Sequence, residues 1–147
     1  MPVFGDPIDP VFLDEEQLFL RIRPDASYPN RQELLLSDLR FPAFSVNRGK
    51  YSRAEDALAP SWPTWGVAAF SVSDIPSMLE GPAGEHSVIV RINFRPIHCP
   101  ELGNYSHSEI RSSSESEESA NPSRKVRVAF REHLRQRLRI VIQARAA

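Results

Sequence analysis

The sequence predicts an α+β fold: a small mixed or antiparallel sheet with short helices and one C-terminal amphipathic helix. Three observations predict it. Val88, Val90, Ile92 and Phe94 share one parity while Arg91, Asn93 and Arg95 share the other, the period-two signature of a half-buried strand. Val126, Ala129, Phe130, His133 and Leu134 instead fit one helical face, with Arg127, Arg131 and Arg135 on the other. Short strand-like runs broken by short helix signals, with no regular βαβ alternation, argue against a doubly wound parallel sheet.

The elements follow in order. Residues 1–10 hold three prolines and two aspartates and read as an extended N-terminal arm. Leu18–Arg23 reads as a strand stopped by Pro24, with Leu18, Leu20 and Ile22 inside and Arg21 and Arg23 outside. Residues 25–32 form a loop around Tyr28-Pro29-Asn30. Phe41–Val46 is extended, because the residue before a proline avoids the helical region. Ser52 with Glu55 matches a capping box, predicting a helix over 53–59 that ends at Pro60. Trp65–Val72 reads as a buried strand. Ser73 or Asp74 caps a short helix through Glu80, with Gly81 beyond its end.

Ser87–Arg111 then forms a β-hairpin turning near Leu102, with Gly103 and Asn104 tolerant of positive φ. That turn sets His98 opposite His107 and Glu109 on the same face as His107. Residues 112–123 are acidic, serine-rich and poor in large apolar groups, and are expected to form a mobile loop dispensable for folding. The amphipathic helix follows and stops near Arg137, which would fall on its apolar face. A competing reading makes Val126, Val128 and Phe130 a strand. Leu138–Ile142 reads as the last strand.

At 147 residues the chain is expected to be a single domain with one core. Eighteen basic side chains against nineteen acidic ones argue against a general nucleic-acid binder, though not against a local patch. Lys50 and Lys125 are the only lysines among many arginines. The one cysteine, Cys99, excludes an internal disulfide and any multi-cysteine zinc motif. The N-terminus shows no basic region followed by an apolar run, and no stretch has the apolar length of a membrane helix. A cytoplasmic protein without membrane attachment is expected.

Three groups of residues could carry chemistry. His98, His107 and Glu109, with Cys99 nearby, could form an acid–base pair or bind a divalent metal; two hairpin histidines and a core cysteine are the structural alternative. Asn47, Arg48, Lys50 and Tyr51, joined by Arg21 and Asn104, could bind an anion before a helix N-terminus, although a capped helix after a polar loop explains the same residues. The Arg127, Arg131, Arg135 stripe could face nucleic acid or an acidic partner, or simply solvent. There is no GxSxG elbow, kinase signature, P-loop or CxxC. The sequence leaves open which cofactor, if any, is bound and whether the histidine cluster holds a metal. The expected role is a small accessory protein of a microbial multi-component system, binding a protein partner. The alternative is a small enzyme acting on a nucleotide or other phosphate-containing substrate through the His/Glu pair and the Arg/Lys anion site.

Overall fold

Alternation sets the first strand, β1 (Gln17–Ile22): Leu18, Leu20 and Ile22 are buried, while Phe19 and Arg21 face the other way. The computed structural model describes residues 3, 5–24, 34–58, 62–82 and 88–145. Six more strands follow: β2 (Ala43–Arg48), β3 (Gly66–Ser71), β4 (Met78–Pro82), β5 (Ile89–His98), β6 (His107–Ser113) and β7 (Arg139–Ile142). They form one sheet in the order β4-β5-β6-β2-β1-β3-β7, with every neighbouring pair antiparallel. The sheet curls into a half-barrel.

The one α-helix among the described residues, α1 (Arg124–Arg135), lies against the concave side. Ser123 caps it, its hydroxyl accepting from the Val126 N–H. Val126, Phe130 and Leu134 are buried. The Phe130 ring meets Phe94 at 4.7 Å, Phe41 at 5.1 Å and Phe44 at 5.9 Å. Burying a side chain of this size contributes about 1.5–3 kcal/mol. The helix buries Val126, Phe130 and Leu134 while keeping Glu132, which a strand would put on the same face, at the surface, and so wins over the strand reading. The helix needs a close neighbour in β4. A Cβ on Gly81 would lie 2.4 Å from Val126 Cγ2, so glycine permits this approach.

The α+β expectation is therefore corrected: the molecule is predominantly β, with 37% of the described residues in strands and 18% in helices. Two expected helices are not there. The helix over 53–59 reduces to one 3-10 turn, Ala54–Ala57, within the described residues, with 59–61 outside them. Its cap is shifted by one residue, the Asp56 carboxylate accepting from the Arg53 N–H at 2.8 Å. The helix from Ser73 or Asp74 to Glu80 is a 3-10 turn, Val72–Asp74, followed by β4. Pro76 explains this: Ile75 before it is extended (φ −75°, ψ 124°), and the chain then pairs Leu79 with Ile92.

The acidic run is tied to the body at both ends. The Ser112 hydroxyl donates to Ala120 O at 2.7 Å, the Ala120 N–H returns to Ser112 O at 3.0 Å, and Ala120 joins the core. Its exposed residues are 115–119 and Asn121. The loop expected at 25–32 lies outside the described residues.

Candidate functional site

Because α1 covers only the concave side, the convex side of β1, β2 and β6 is left to side chains of the opposite parity. Phe19, Arg21, Ser45, Asn47 and His107 line a pocket of 590 Å³ there. One wall is the turn between β5 and β6, from Glu101 to Ser106; the other is Trp62 with the Ala54–Ala57 turn. A second pocket of 360 Å³ adjoins it, and both are lined by Arg21, Ser45 and Trp62. Together they make an open groove.

Of the residues nominated from sequence, Arg21, Asn47, Tyr51, Asn104 and His107 line the larger pocket. The Asn104 carboxamide donates to Asn47 Oδ1 at 2.8 Å and accepts from the Ser106 hydroxyl at 2.6 Å, locking the turn onto β2. The Arg21 guanidinium stacks 3.7 Å over Trp62. Burial pulls its pKa below the ordinary value, with the Glu101 carboxylate acting in the other direction.

His98 and His107 do not meet. The register pairs His98 with Ser108, one residue away from the expected alignment, and a slip of one residue sends a side chain to the other face. His98 is buried beside Tyr51 and Tyr105. Its Nδ1 accepts from the Asp9 N–H at 2.9 Å, so Nε2 carries the proton and donates to Tyr105 O at 2.7 Å. Both nitrogens are thereby committed to tying the N-terminal arm to the hairpin turn. The Tyr105 hydroxyl adds a bond to Pro7 O.

His107 donates from Nδ1 to Cys99 O at 2.8 Å, leaving Nε2 to face Ser45 Oγ at 3.1 Å and Glu101 Oε1 at 3.2 Å. Its carboxylate neighbour is therefore Glu101, not Glu109. Glu109 is held by Arg111 at 3.0 Å. The expected His107/Glu109 acid–base pair is not assembled. Cys99 Sγ lies 3.5 Å from His107 Nδ1, but burial, then the Glu109 charge, pushes the thiol up to about 11, which disfavours a nucleophilic thiolate. Among the described residues no three His, Cys, Asp or Glu side chains gather as a possible metal site.

The expected anion cluster also divides by parity. Asn47 faces the groove, whereas Arg48 is fully buried. Its guanidinium makes two 2.8 Å bonds to the Glu16 carboxylate, donates to Asp9 O and Val11 O, and lies 3.9 Å over Phe12. Burial, the largest single influence, opposes its charge, but Glu16, Asp9 and Tyr51 together outweigh it and its pKa ends above the ordinary value. Lys50 and the Tyr51 hydroxyl both bind Asp9 Oδ2, at 2.8 and 2.6 Å. These two partners hold the Asp9 carboxyl well below the usual carboxylate range against the opposing effect of burial. Arg48 and Lys50 thus fasten the N-terminal arm and do not line the groove.

The Arg127, Arg131, Arg135 stripe is not an open basic face. Arg127 and Arg131 are half-buried, each with a buried Nε lacking a hydrogen-bond partner, and Arg131 and Arg135 both reach Glu132. Sequence reasoning missed Asp9, Glu16, Trp62, Trp65 and Glu101. The signal for the tryptophans was present: Arg21 on the outer parity of β1 with Arg23 just past its end, and Trp62-x-x-Trp65 just before β3. Among the described residues no helix is long and apolar enough to cross a membrane. No protein-family model matches the chain, nor does any curated protein or solved structure.

Proposed function

We propose that this chain is a partner-binding domain whose recognition surface is the convex groove over β1, β2 and β6, and that it takes a polar segment of another protein. The observation that carries this reading is the joined pair of pockets on the face that α1 leaves open, lined by hydrogen-bonding side chains and two indoles. Binding sites of this kind are concave and pre-formed, with polar groups that fix orientation. The enzymatic alternative has less support. His98 and Arg48, two of its parts, are consumed inside the fold, and Glu109 is engaged by Arg111.

A photoreactive phenylalanine analogue at Leu102, exposed on the groove rim, tests this in cells expressing the full chain. A discrete protein adduct is expected there, weakened by Arg21→Ala combined with Glu101→Ala while the far-UV spectrum stays unchanged. The same analogue at Lys125, exposed on α1, is expected to give none. An adduct at Lys125 that survives the groove substitutions, or no adduct at Leu102, overturns the reading.

A further inference from the structure

The smaller pocket is the basic end of the groove. Arg21, Arg23 and Arg40 line it, against one acidic side chain, Asp38. The Asp38 carboxylate accepts the Leu35 N–H at 2.8 Å, so it also serves the adjacent 3-10 turn. Two of the arginines are held in place by aromatic faces: Arg21 lies 3.7 Å over Trp62 and Arg23 lies 5.5 Å over Trp65. The indoles themselves stand 6.0 Å apart. Stacking orders a guanidinium without occupying its N–H edge, although Arg21 Nη1 also reaches the Ala57 carbonyl at 3.5 Å.

Several arginines elsewhere in the molecule meet carboxylates, while Arg137 and Arg145 donate to carbonyls and Arg139 to Gln17. Arg48 binds Glu16, Arg91 binds Glu80, Arg111 binds Glu109, and Arg131 and Arg135 bind Glu132. Among the described residues, no carboxylate lies within ion-pair distance of Arg21, Arg23 or Arg40. Three cations lining one pocket beside a single, engaged carboxylate leave an excess of positive charge that a monovalent anion would not balance.

We infer that this end of the groove is a subsite for a phosphate monoester, whose doubly charged group accepts hydrogen bonds from the Arg21, Arg23 and Arg40 guanidiniums while the group carrying it extends into the larger pocket. A phosphate has several strong acceptor oxygens and close to two charges at neutral pH, matching several forked donors better than a carboxylate does. The inference rests on the groove being the recognition surface. The shared chemistry could come from a phosphorylated side chain of a partner or from a free mononucleotide.

Trp62 and Trp65 are the only two tryptophans of the chain and both line the pocket, so intrinsic fluorescence reports on it directly. The full chain is titrated with inorganic phosphate, and with sodium acetate at matched ionic strength. A saturable change with phosphate and none with acetate is expected. Arg23→Ala with Arg40→Ala should weaken phosphate binding by at least about tenfold, since two charged donors are removed. Both side chains are exposed, and an unchanged thermal midpoint will show that the fold survives. Equal, non-saturating responses to the two salts, or unaltered binding by the double variant, overturn the inference. Two further arms separate the sources. Tighter binding of an alanine-flanked phosphoserine peptide than of AMP supports a phosphorylated partner. Tighter binding of AMP keeps the phosphate subsite but overturns the protein-segment reading of the groove. Failure of phosphate binding with the Leu102 adduct intact removes the subsite alone.

Discussion

Arg48 and Arg21 lie on neighbouring antiparallel strands, and the sheet gives them opposite fates. Arg48 shares the parity of Phe44 and Val46, so its side chain enters the concave side, where Glu16 and two carbonyls of the arm engage all three nitrogens of the guanidinium. Arg21 has the parity opposite to Leu20 and Ile22, so it lies outside on Trp62, over the groove. The same side chain is a structural tie on one face and lines the open groove on the other. What decides is the strand's two-residue period, together with which face the core claims.

The largest test of this contrast is Arg48→Met. It leaves the Glu16 carboxylate buried without its partner, and breaking a buried pair in this way costs about 3–5 kcal/mol. Urea unfolding of the full chain should show a loss of that size. A loss below about 1 kcal/mol would mean that Glu16 finds water or another donor easily, and that Arg48 is not the tie described.

Acid should act through the same arm. Asp9 has a folded pKa below its unfolded value of about 3.9, because the ionised form is held by Lys50 and Tyr51. Its contribution is therefore complete above that unfolded value and is lost as pH falls through the folded pKa. Thermal midpoints measured downward from about pH 5 should decline, and Asp9→Asn should flatten the decline. An identical slope in the variant would assign the acid sensitivity to other carboxylates.

The smallest effect is expected outside. Arg21→Met removes a stacked cation from an exposed-side site, which costs about 0.5–1 kcal/mol. Groove binding should suffer while the unfolding midpoint scarcely moves. A stability loss equal to that of Arg48→Met would erase the distinction between the faces.

Local patterns carried much of the architecture. Three consecutive inward residues of β1, the alternation through Ile92 and Phe94, and the helix end before Arg137 each depend on residues a few positions apart, and each stands in the structure. Pro76 was also a local signal, and it explains why β4 replaces a helix. Much of the candidate site was legible as a set of residue types: Arg21, Asn47, Tyr51, Asn104 and His107 do line one pocket.

By itself, the sequence determined which segments alternate, which one is amphipathic at helical period, and which polar residues stand beside apolar ones. Tertiary structure alone decided where those polar residues point and whom they meet. The hairpin register differs by one residue from the symmetric alignment, and that single step separates His98 from His107. Arg48 meets Glu16 across 32 positions and Asp9 across 39, and His98 meets Asp9 across 89. Periodicity is a property of neighbours along the chain. Partner choice depends on how the sheet curls and where the arm crosses it, and no local window contains that information.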